Sequence, residues 1–452
     1  MKRAGREMIF WRNSRLSQYT LHTVNIQLKR GNVYPEKARQ ISLLRVVGYQ
    51  LFEGADVAWS LVIVSTYFGT FVVHNLHSSA ASYGWAITLA SLVVAFVSPV
   101  LGAAADQSGS RQPYLRVFTV GVVLFTGSLA FVSTLPLAVG LFVCAYVCAN
   151  FATRFYTALL PAVSNQDNLS TIASVAVALG YVVGLASLVA LSSLVPTNAA
   201  AQSVFIPFAM LYLILAMPTM LLTPDFPIRQ TSSALRGAYA ELFATFRHAR
   251  NYRDLIRFLT AYLLASIVSN AVINFMGRFG EQILGYQSNE LQYLYAPGAI
   301  VGAIGALCVF APLIKHIGAR RTLLVTLVIW FVMLVVFLSV HDRQLFQYLA
   351  GPLVGLGLSG VATASRTLIV AFSPLEKSAE FWGLYGFCSL VSMVLGDLTF
   401  TTALYWIGDD LRGFQTAFSV LMFYVVIAFF IVWKLPNATP SSKNVVRQDH
   451  CY

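Results

Sequence analysis

Twelve segments of the sequence are long enough and apolar enough to cross a lipid bilayer as helices. A helix needs about 20 apolar residues to cross the hydrocarbon core. The segments lack the alternation of membrane β-barrel strands, and only 11% of the 452 residues are charged. We therefore predict an all-α integral membrane protein with twelve transmembrane helices. The predicted spans cover residues 46–73, 81–104, 114–134, 136–160, 171–195, 202–223, 254–276, 290–314, 321–340, 345–372, 379–407 and 413–434.

The sequence divides into two corresponding sets of six spans. The connection between spans 6 and 7 is the longest, and it is polar and basic. The chain reads GAAADQSGSRQP after span 2 and APLIKHIGARRT after span 8, which aligns the two Gly-x-Arg segments. Similar loops at corresponding places indicate duplication, and hence two pseudo-symmetric six-helix bundles. The predicted units are an N-terminal tail (1–45), an N-terminal bundle (46–223), a linker (224–253), a C-terminal bundle (254–434) and a C-terminal tail (435–452).

The distribution of basic residues predicts the orientation of the chain. Lys and Arg in short loops remain in the cytoplasm. All of the 30 Lys and Arg residues except Arg278, Arg343 and Arg412 lie in the two tails, in the loops after the even-numbered spans, or at the helix ends beside them. Both termini are therefore expected to be cytoplasmic. The net charge of +12 follows from this topology and from anionic lipid headgroups, so we expect no nucleic acid partner.

Two carboxylates interrupt the first apolar span, in the sequence LFEGADVAWS. A charge in the middle of a bilayer costs about 2.5 to 3.5 kcal/mol on insertion scales, so it normally faces a cavity or a partner. Glu53 and Asp56 are three residues apart and share one helix face. Arg154 in span 4 and Arg366 in span 10 lie about 9 Å from the cytoplasmic helix ends, close to the depth of Glu53. The alternative is that the arginines snorkel to the headgroups and the acids pair locally.

Glycine-rich helix faces predict close contacts between spans. Gly180 and Gly184 lie on span 5, and Gly298, Gly302 and Gly305 lie on span 8. Small residues allow two helix backbones to approach closely. The segment GPLVGLG in span 10 adds a proline, which predicts a bend.

Several stretches of the sequence resemble known transporter families. The loop after span 2 resembles the signature Gly-x-x-x-Asp-x-x-Gly-x-Arg of the major facilitator superfamily. LFEGADVAWSLVIVSTYF, FYTALLPAVS, ALGYVVG, SRTLIVAFSP and EFWGLYGF resemble helices 1, 4, 5, 10 and 11 of the vacuole effluxer family, the autophagy-related permeases and their bacterial relatives. The resemblance extends over about residues 46–434 and implies the major facilitator fold.

The chain departs from the family pattern at several positions. Glu53 and Asp56 stand where the family has Asp and Asn, so one acidic group is kept and a second is added. Span 7 has Ala-Ser-Ile-Val at 265–268 where Tyr-Asn-Asp-Gly is usual. Lys315 stands where an Asp is expected, and Asp397 replaces a residue that is more often Pro. These departures bear on the substrate more than on the fold.

The resemblance also implies a location for the charged residues, because helices 1, 4, 7 and 10 line the central cavity in this superfamily. The two acids and two arginines would then meet across the cavity, and an ion pair that forms only when the cavity is shut to the cytoplasm would be a gate. Neighbouring acids repel each other when both are charged, which favours reversible binding of a proton. Expected solute- or proton-binding residues are Glu53, Asp56, Arg154, Tyr156, Tyr262 and Arg366, with Glu380 and Asp397 as further candidates. Expected loop and gating residues are Gly102, Asp106, Gly109, Arg111, Gly318 and Arg320.

The role of Asp397 stays open at this point. It lies in the outer half of span 11. A polar hinge or packing partner and a functional acid are both consistent with an acid at this depth.

These patterns predict a secondary transporter in which two bundles rock around a central site. The family resemblance implies export of amino acids or similar small polar metabolites, and the acid pair indicates coupling to protons. An uptake symporter for sugars or nucleosides is the alternative within transport. A non-transporting membrane sensor or scaffold is the alternative from another class.

The sequence contains no motif that indicates an enzyme. No HExxH metal motif, no nucleophile with a nearby base and no GxxxxGK[ST] phosphate-binding loop is present. We expect no cofactor and no metal. The expected partners are a small polar solute, protons and membrane lipids, and the expected state is a monomer. The length resembles bacterial family members, so a bacterial cytoplasmic membrane is the expected location.

Overall fold

Twelve long helices form the body of the protein, as predicted. The computed structural model describes residues 43–108, 110–163, 169–195, 198–223, 252–287, 289–339, 342–372 and 378–436. Twelve helices in these ranges are long and apolar enough to span a membrane. They are α1 (Leu43–Asn75), α2 (Ala80–Ser108), α3 (Gln112–Ser128), α4 (Leu135–Thr157), α5 (Leu169–Ser192), α6 (Phe205–Leu222), α7 (Arg253–Gln282), α8 (Leu291–Ile317), α9 (Ala319–Ser339), α10 (Arg343–Phe372), α11 (Ser378–Ile407) and α12 (Leu411–Trp433).

The helix ends differ from the predicted spans by a few residues, because hydropathy detects the apolar centre of a helix and not its polar ends. The largest internal irregularity is in α1, which contains π-helical turns at Trp59–Tyr67 and Phe71–Asn75. Such turns are frequent at functional sites. Most of both predicted tails and of the predicted linker lies outside the described residues.

The contacts between helices repeat with a shift of six helices. In the first half, α1 packs on α5 and α6, and α3 packs on α4 and α6. In the second half, α7 packs on α11 and α12, and α9 packs on α10 and α12. Between the halves, α2 contacts α11 while α5 contacts α8, which are equivalent pairs in a pseudo-two-fold arrangement. The structure therefore consists of two related six-helix bundles.

The same type of cap closes the last helix of each bundle. The final carbonyls of a helix have no partner within the helix and need an external donor. The Nε2 of Gln112, at the start of α3, donates to the carbonyls of Thr219 (3.1 Å) and Met220 (2.9 Å) at the end of α6. The Nε of Arg320, at the start of α9, donates to the carbonyl of Val432 (3.2 Å) at the end of α12. This correspondence supports the duplication indicated by the sequence.

Glycine contacts bring α8 and α10 together at backbone distance. The sequence predicts a close helix contact at the glycines of α8, and the structure identifies α10 as the partner. A Cβ on Gly355 would lie 2.1 Å from the carbonyl oxygen of Gly298. A similar contact brings α5 against α1, because a Cβ on Gly180 would lie 2.9 Å from the Cγ of Glu53. The glycines therefore fix the spacing of the helices around the candidate site.

An even number of spans places both ends of the described chain on the same side of the membrane. We call this the near side, and the opposite side the far side. Helix α1 runs from near to far and α7 runs in the same direction, so Glu53 is nearer the near side and Arg278 is nearer the far side.

Candidate functional site

The two bundles are in direct contact in their far halves. The Tyr83 hydroxyl of α2 lies 2.7 Å from the carbonyl oxygen of Asn274 in α7. The Tyr295 hydroxyl of α8 donates to the carbonyl oxygen of Ser65 in α1 (3.1 Å). Gly277 of α7 lies so close to α1 that an added Cβ would be 1.9 Å from the same Ser65 oxygen. The far side is therefore sealed by backbone contacts as well as by side chains.

A buried ion pair lies at the far end of this contact. Arg278 and Glu281, both on α7, form a salt bridge with side chains that are each 3% exposed. Glu281 also accepts a hydrogen bond from Thr70 of α1. The pair therefore links the C-terminal bundle to the first helix of the N-terminal bundle.

Asp397 of α11 forms a second polar contact between the bundles. It is fully buried, and its carboxyl group lies 2.6 Å from the Oγ of Ser91 in α2 and accepts a bond from Nδ2 of Asn274 in α7 (2.7 Å). Further toward the far side, the hydroxyl oxygens of Thr88 and Thr401 are 3.1 Å apart. The predicted candidate Asp397 thus lies in the sealed interface.

A cavity of about 410 Å³ separates the bundles between this seal and the near side. Glu53 and Asp56 of α1 line one wall, and Arg366 of α10 lines the opposite wall. This volume is within the range of sites that hold small ligands. The structure therefore places the two acids and one of the two arginines around one cavity. The lining also includes Ser60, Tyr181, Tyr262, Ser266, Asn270 and Tyr385.

The two acids differ in their partners. Glu53 is half-buried, lies beside the hydroxyl of Tyr156 and interacts electrostatically with Arg366. Asp56 accepts a hydrogen bond from Thr153 of α4. Among the described residues, neither acid forms a salt bridge with Arg366 in this conformation. Among the described residues, the three side chains therefore line the first cavity without a salt bridge between its two walls.

Arg154 lies in a second cavity of about 480 Å³, which Asp56 also lines. Its Nε is buried and has no hydrogen-bond partner among the described residues, and Tyr262 is its electrostatic neighbour. The four charges therefore do not meet at one point: Arg366 lines the first cavity with Glu53, and Arg154 lines the adjoining second cavity with Asp56. The polar side chains of Asn150 and Asn274 complete this second cavity.

The two predicted tyrosines have different positions. Tyr262 lines the first cavity and stacks on Tyr385, with ring centroids 4.1 Å apart. Tyr156 is 1% exposed and stacks between Tyr49 and Phe52 of α1, at 4.2 and 4.6 Å. Tyr156 therefore positions the helix that carries Glu53 and does not face the first cavity.

The predicted loop residues lie at the near-side helix ends. Gly318 has a φ of 85°, a conformation that favours glycine and allows the turn between α8 and α9. Arg111 donates toward the carbonyl of Ala158 at 3.5 Å, and Arg320 caps α12 as described above. Gly102 lies within α2. Gly109 and the side chains of Asp106 and Glu380 lie outside the described residues.

Sequence reasoning missed a polar stripe on α7. Ser266, Asn270 and Asn274 follow each other at intervals of four residues, which places them on one helix face. Asn270 lines both cavities and donates to Ser392 (3.1 Å). The regular spacing of polar residues in an apolar span was the signal that would have found them. Within the described residues, no cluster of three or more His, Cys, Asp or Glu could hold a metal ion.

Comparison with known proteins identifies the family. A family profile described as "Vacuole effluxer Atg22 like" matches residues 64–441. The chain belongs to this family. The MFS-type transporter YxiO of Bacillus subtilis (strain 168), itself uncharacterised, is 23% identical over 419 residues, which cover 88% of this chain and 96% of that protein.

Solved transporter structures share the fold. The nucleoside transporter NupG has a TM-score of 0.68 at 13% identity and covers 87% of this chain and 99% of its own. A bacterial homologue of the human lysosomal transporter Spinster, in an inward-facing and unoccupied conformation, has a TM-score of 0.68 at 12% identity and covers 88% and 98%. This Atg22-like chain therefore has the major facilitator fold, and its family and structural neighbours are membrane transporters and not enzymes.

Proposed function

We propose that this chain exports amino acids or similar small polar metabolites by alternating access, in exchange for protons. The observation that supports this most directly is the charge arrangement of the first cavity. Glu53 and Asp56 lie on the α1 wall and Arg366 lies on the α10 wall. The two walls belong to different bundles, so the affinity for a solute that binds both walls depends on the relative position of the bundles.

The cavity charges match a zwitterion. An ammonium group would bind at the two carboxylates, and a carboxylate would bind at the guanidinium of Arg366, each through charge-assisted hydrogen bonds. A neutral sugar or nucleoside would leave three charged groups without ionic partners in a confined site, at an energetic cost. This favours amino acids over the solutes of an uptake symporter for sugars or nucleosides.

Competition for the acids provides the coupling. In the solute-free cavity, a proton on Glu53 or Asp56 reduces the repulsion between the two carboxylates. A bound ammonium group reduces the same repulsion, so proton and solute compete for one site. Competition of this kind produces exchange of one ligand for the other across the membrane, which is export driven by an inward proton gradient.

We further propose that the near side is the cytoplasm of a bacterial cell. Nearly all Lys and Arg residues lie in near-side segments, as the positive-inside rule requires of cytoplasmic ones. The long alignment with the Bacillus subtilis relative supports the bacterial membrane. In this orientation the cavity would load from the cytoplasm and release its solute on the far side.

Transport by reconstituted protein tests the proposal. Liposomes that contain the purified protein are given a panel of labelled amino acids, sugars and nucleosides, with and without a pH gradient. We expect amino acids to move against their own concentration gradient when the proton gradient drives protons across the membrane in the opposite direction. Glu53→Gln should lower this transport about 100-fold, which corresponds to about 2.7 kcal/mol, in the range of hydrogen bonds to charged groups.

Glu290→Gln is the matched control. Glu290 pairs with Arg343 at the far-side surface, where their side chains are 33% and 40% exposed, and it lines neither cavity, so transport should be unchanged. Selective transport of sugars or nucleosides would exclude the proposed substrate class. Full proton-driven transport by Glu53→Gln would exclude the proposed role of Glu53 in proton coupling.

A further inference from the structure

A buried carboxyl group in the sealed interface has neutral hydrogen-bond partners. Asp397 is 0% exposed. Its two oxygens contact the hydroxyl of Ser91 and the amide of Asn274. A buried carboxylate without a cation is costly, because two neutral hydrogen bonds replace only part of its hydration.

Titratable groups around Asp397 do not supply that cation. The phenols of Tyr83 on α2 and Tyr146 on α4 are its electrostatic neighbours. From α7 it faces the neutral Asn274, and Arg278 lies one helical turn further along, bound to Glu281. The other helices that pack on α11, namely α10 and α12, contribute none of its electrostatic partners among the described residues.

The observed geometry is satisfied by a neutral carboxyl group. One oxygen can accept from Nδ2 of Asn274, as a carbonyl oxygen does. The other oxygen, if protonated, can donate to the hydroxyl oxygen of Ser91 at 2.6 Å. Every polar atom of the carboxyl group then has a partner, and no charge is buried.

We propose that Asp397 is a proton-binding site of the far-side gate, separate from the acids of the cavity. The protonated carboxyl group bridges α11 to α2 and keeps the bundles together on the far side. When the far side opens, the carboxyl group meets water and loses its proton. This proton enters and leaves on the far side, so it controls the gate and is not carried across the membrane.

This inference rests on the alternating access of the proposed function, but its test requires no solute. Thr88 is 1% exposed within the sealed interface, so a cysteine at this position reports opening of the gate. The five native cysteines are replaced by serine, and Thr88→Cys is introduced. A membrane-impermeant maleimide is added on the far side of sealed vesicles over a range of pH. Because the reactive thiolate fraction of any cysteine rises with pH, the labelling rate is expressed at each pH as the ratio of the rate in the vesicles to the rate for the same protein unfolded in detergent.

We expect the labelling rate to rise at least about fivefold between about pH 5 and about pH 9, because the charged carboxylate disfavours the sealed state. Asp397→Asn reproduces the shape and hydrogen bonds of the neutral acid. Its labelling should therefore be slow and independent of pH. Ser91→Ala removes the acceptor of the proposed proton and should speed labelling more at low pH than at high pH.

A control variant separates this site from another acid at the same interface. Asp409, in the loop between α11 and α12, accepts a bond from the backbone N–H of Ala80 at the far-side end of the same interface, and burial raises the pKa of its carboxyl group. Asp409→Asn should keep the pH dependence of labelling. The labelling experiment uses no transported solute. Failure of the transport experiment alone would therefore leave the expected pH dependence of labelling unchanged.

Three results would overturn the proposal. The first is a pH dependence that persists in folded Asp397→Asn protein. The second is loss of that dependence in Asp409→Asn. If Asp397→Asn does not elute as a folded protein in size-exclusion chromatography, Ser91→Ala decides: an equal increase of the labelling rate at every pH would exclude a proton between Asp397 and Ser91.

Discussion

Each end of α7 carries an ion pair between an arginine and a carboxylate three residues away, but one pair is exposed and the other is buried. At the near end, Arg257 binds Asp254 at 3.1 Å with side chains that are 51% and 43% exposed. At the far end, Arg278 binds Glu281 with the same spacing of three residues, and both side chains are 3% exposed. One helix therefore lies with its near end in open surroundings and its far end inserted between the bundles. Among the described residues, the interface between the bundles is therefore closed around the far end of α7 and not around its near end.

Breaking each pair measures that contrast and should give the largest effect on stability. Arg278→Ala removes the guanidinium group that pairs with Glu281 inside the buried interface, so we expect the free energy of unfolding to fall by about 3–5 kcal/mol. Arg257→Ala removes an exposed pair, which is worth about 0–1 kcal/mol. Thermal unfolding of the purified proteins in detergent compares the two variants. Equal losses would show that the far end of α7 is no better sealed than the near end.

A smaller effect is expected from the backbone contact beside this pair. Gly277→Ala would place a Cβ 1.9 Å from the Ser65 carbonyl oxygen, so the bundles must separate locally. Overpacking of this kind costs about 1–3 kcal/mol. The near-side control is Gly383→Ala, because a Cβ on Gly383 meets nothing within 4 Å. We expect the far-side variant to unfold at lower temperature and the control to unfold at or slightly above the temperature of the unmodified protein. A destabilised control would mean that the near side is also tightly packed.

The smallest effect is expected from a single hydroxyl contact. Thr88→Val removes the hydrogen bond to Thr401 across the interface, and a hydrogen bond of this type contributes about 0.5–1.5 kcal/mol. Thr399→Val is the comparison, since the Oγ1 of Thr399 donates to the carbonyl of Leu395 in its own helix and the residue is half-buried. In the same thermal unfolding measurement, we expect Thr88→Val to lower the unfolding temperature more than Thr399→Val does. A larger loss from Thr399→Val would contradict the assigned importance of the Thr88 contact.

The sequence predicted the parts of this structure that depend on local patterns. Long apolar segments gave the twelve helices, because each helix must satisfy its own backbone in lipid. The cost of a charge in lipid indicated that Glu53 and Asp56 face a cavity or a partner. Glycines at intervals of three to four residues predicted, for an equally local reason, that α8 approaches another helix closely, but they did not predict that this helix is α10.

The sequence could not predict which residues meet across the two bundles. Arg154 and Arg366 lie at similar depths from their helix ends, yet they line different cavities, because rotation of each helix about its axis decides where a side chain points. Asp397 meets Ser91 and Asn274 from two other helices, and no pattern within α11 specifies those partners. The depth of a side chain in the membrane can be predicted from its own helix alone, whereas its contact partners depend on how the helices pack against one another.

The glycine contact between α8 and α10 has a consequence for how solute preference can change. Gly298, Gly351 and Gly355 all line the first cavity. Part of the wall that the C-terminal bundle contributes therefore consists of backbone atoms. A larger residue at Gly355 collides with the backbone of the neighbouring helix before it reaches the solute. Mutation can therefore alter the recognition of different solutes where α1, α5, α7 and α11 present side chains to the cavity. The glycine contact offers the same peptide groups to every molecule that enters.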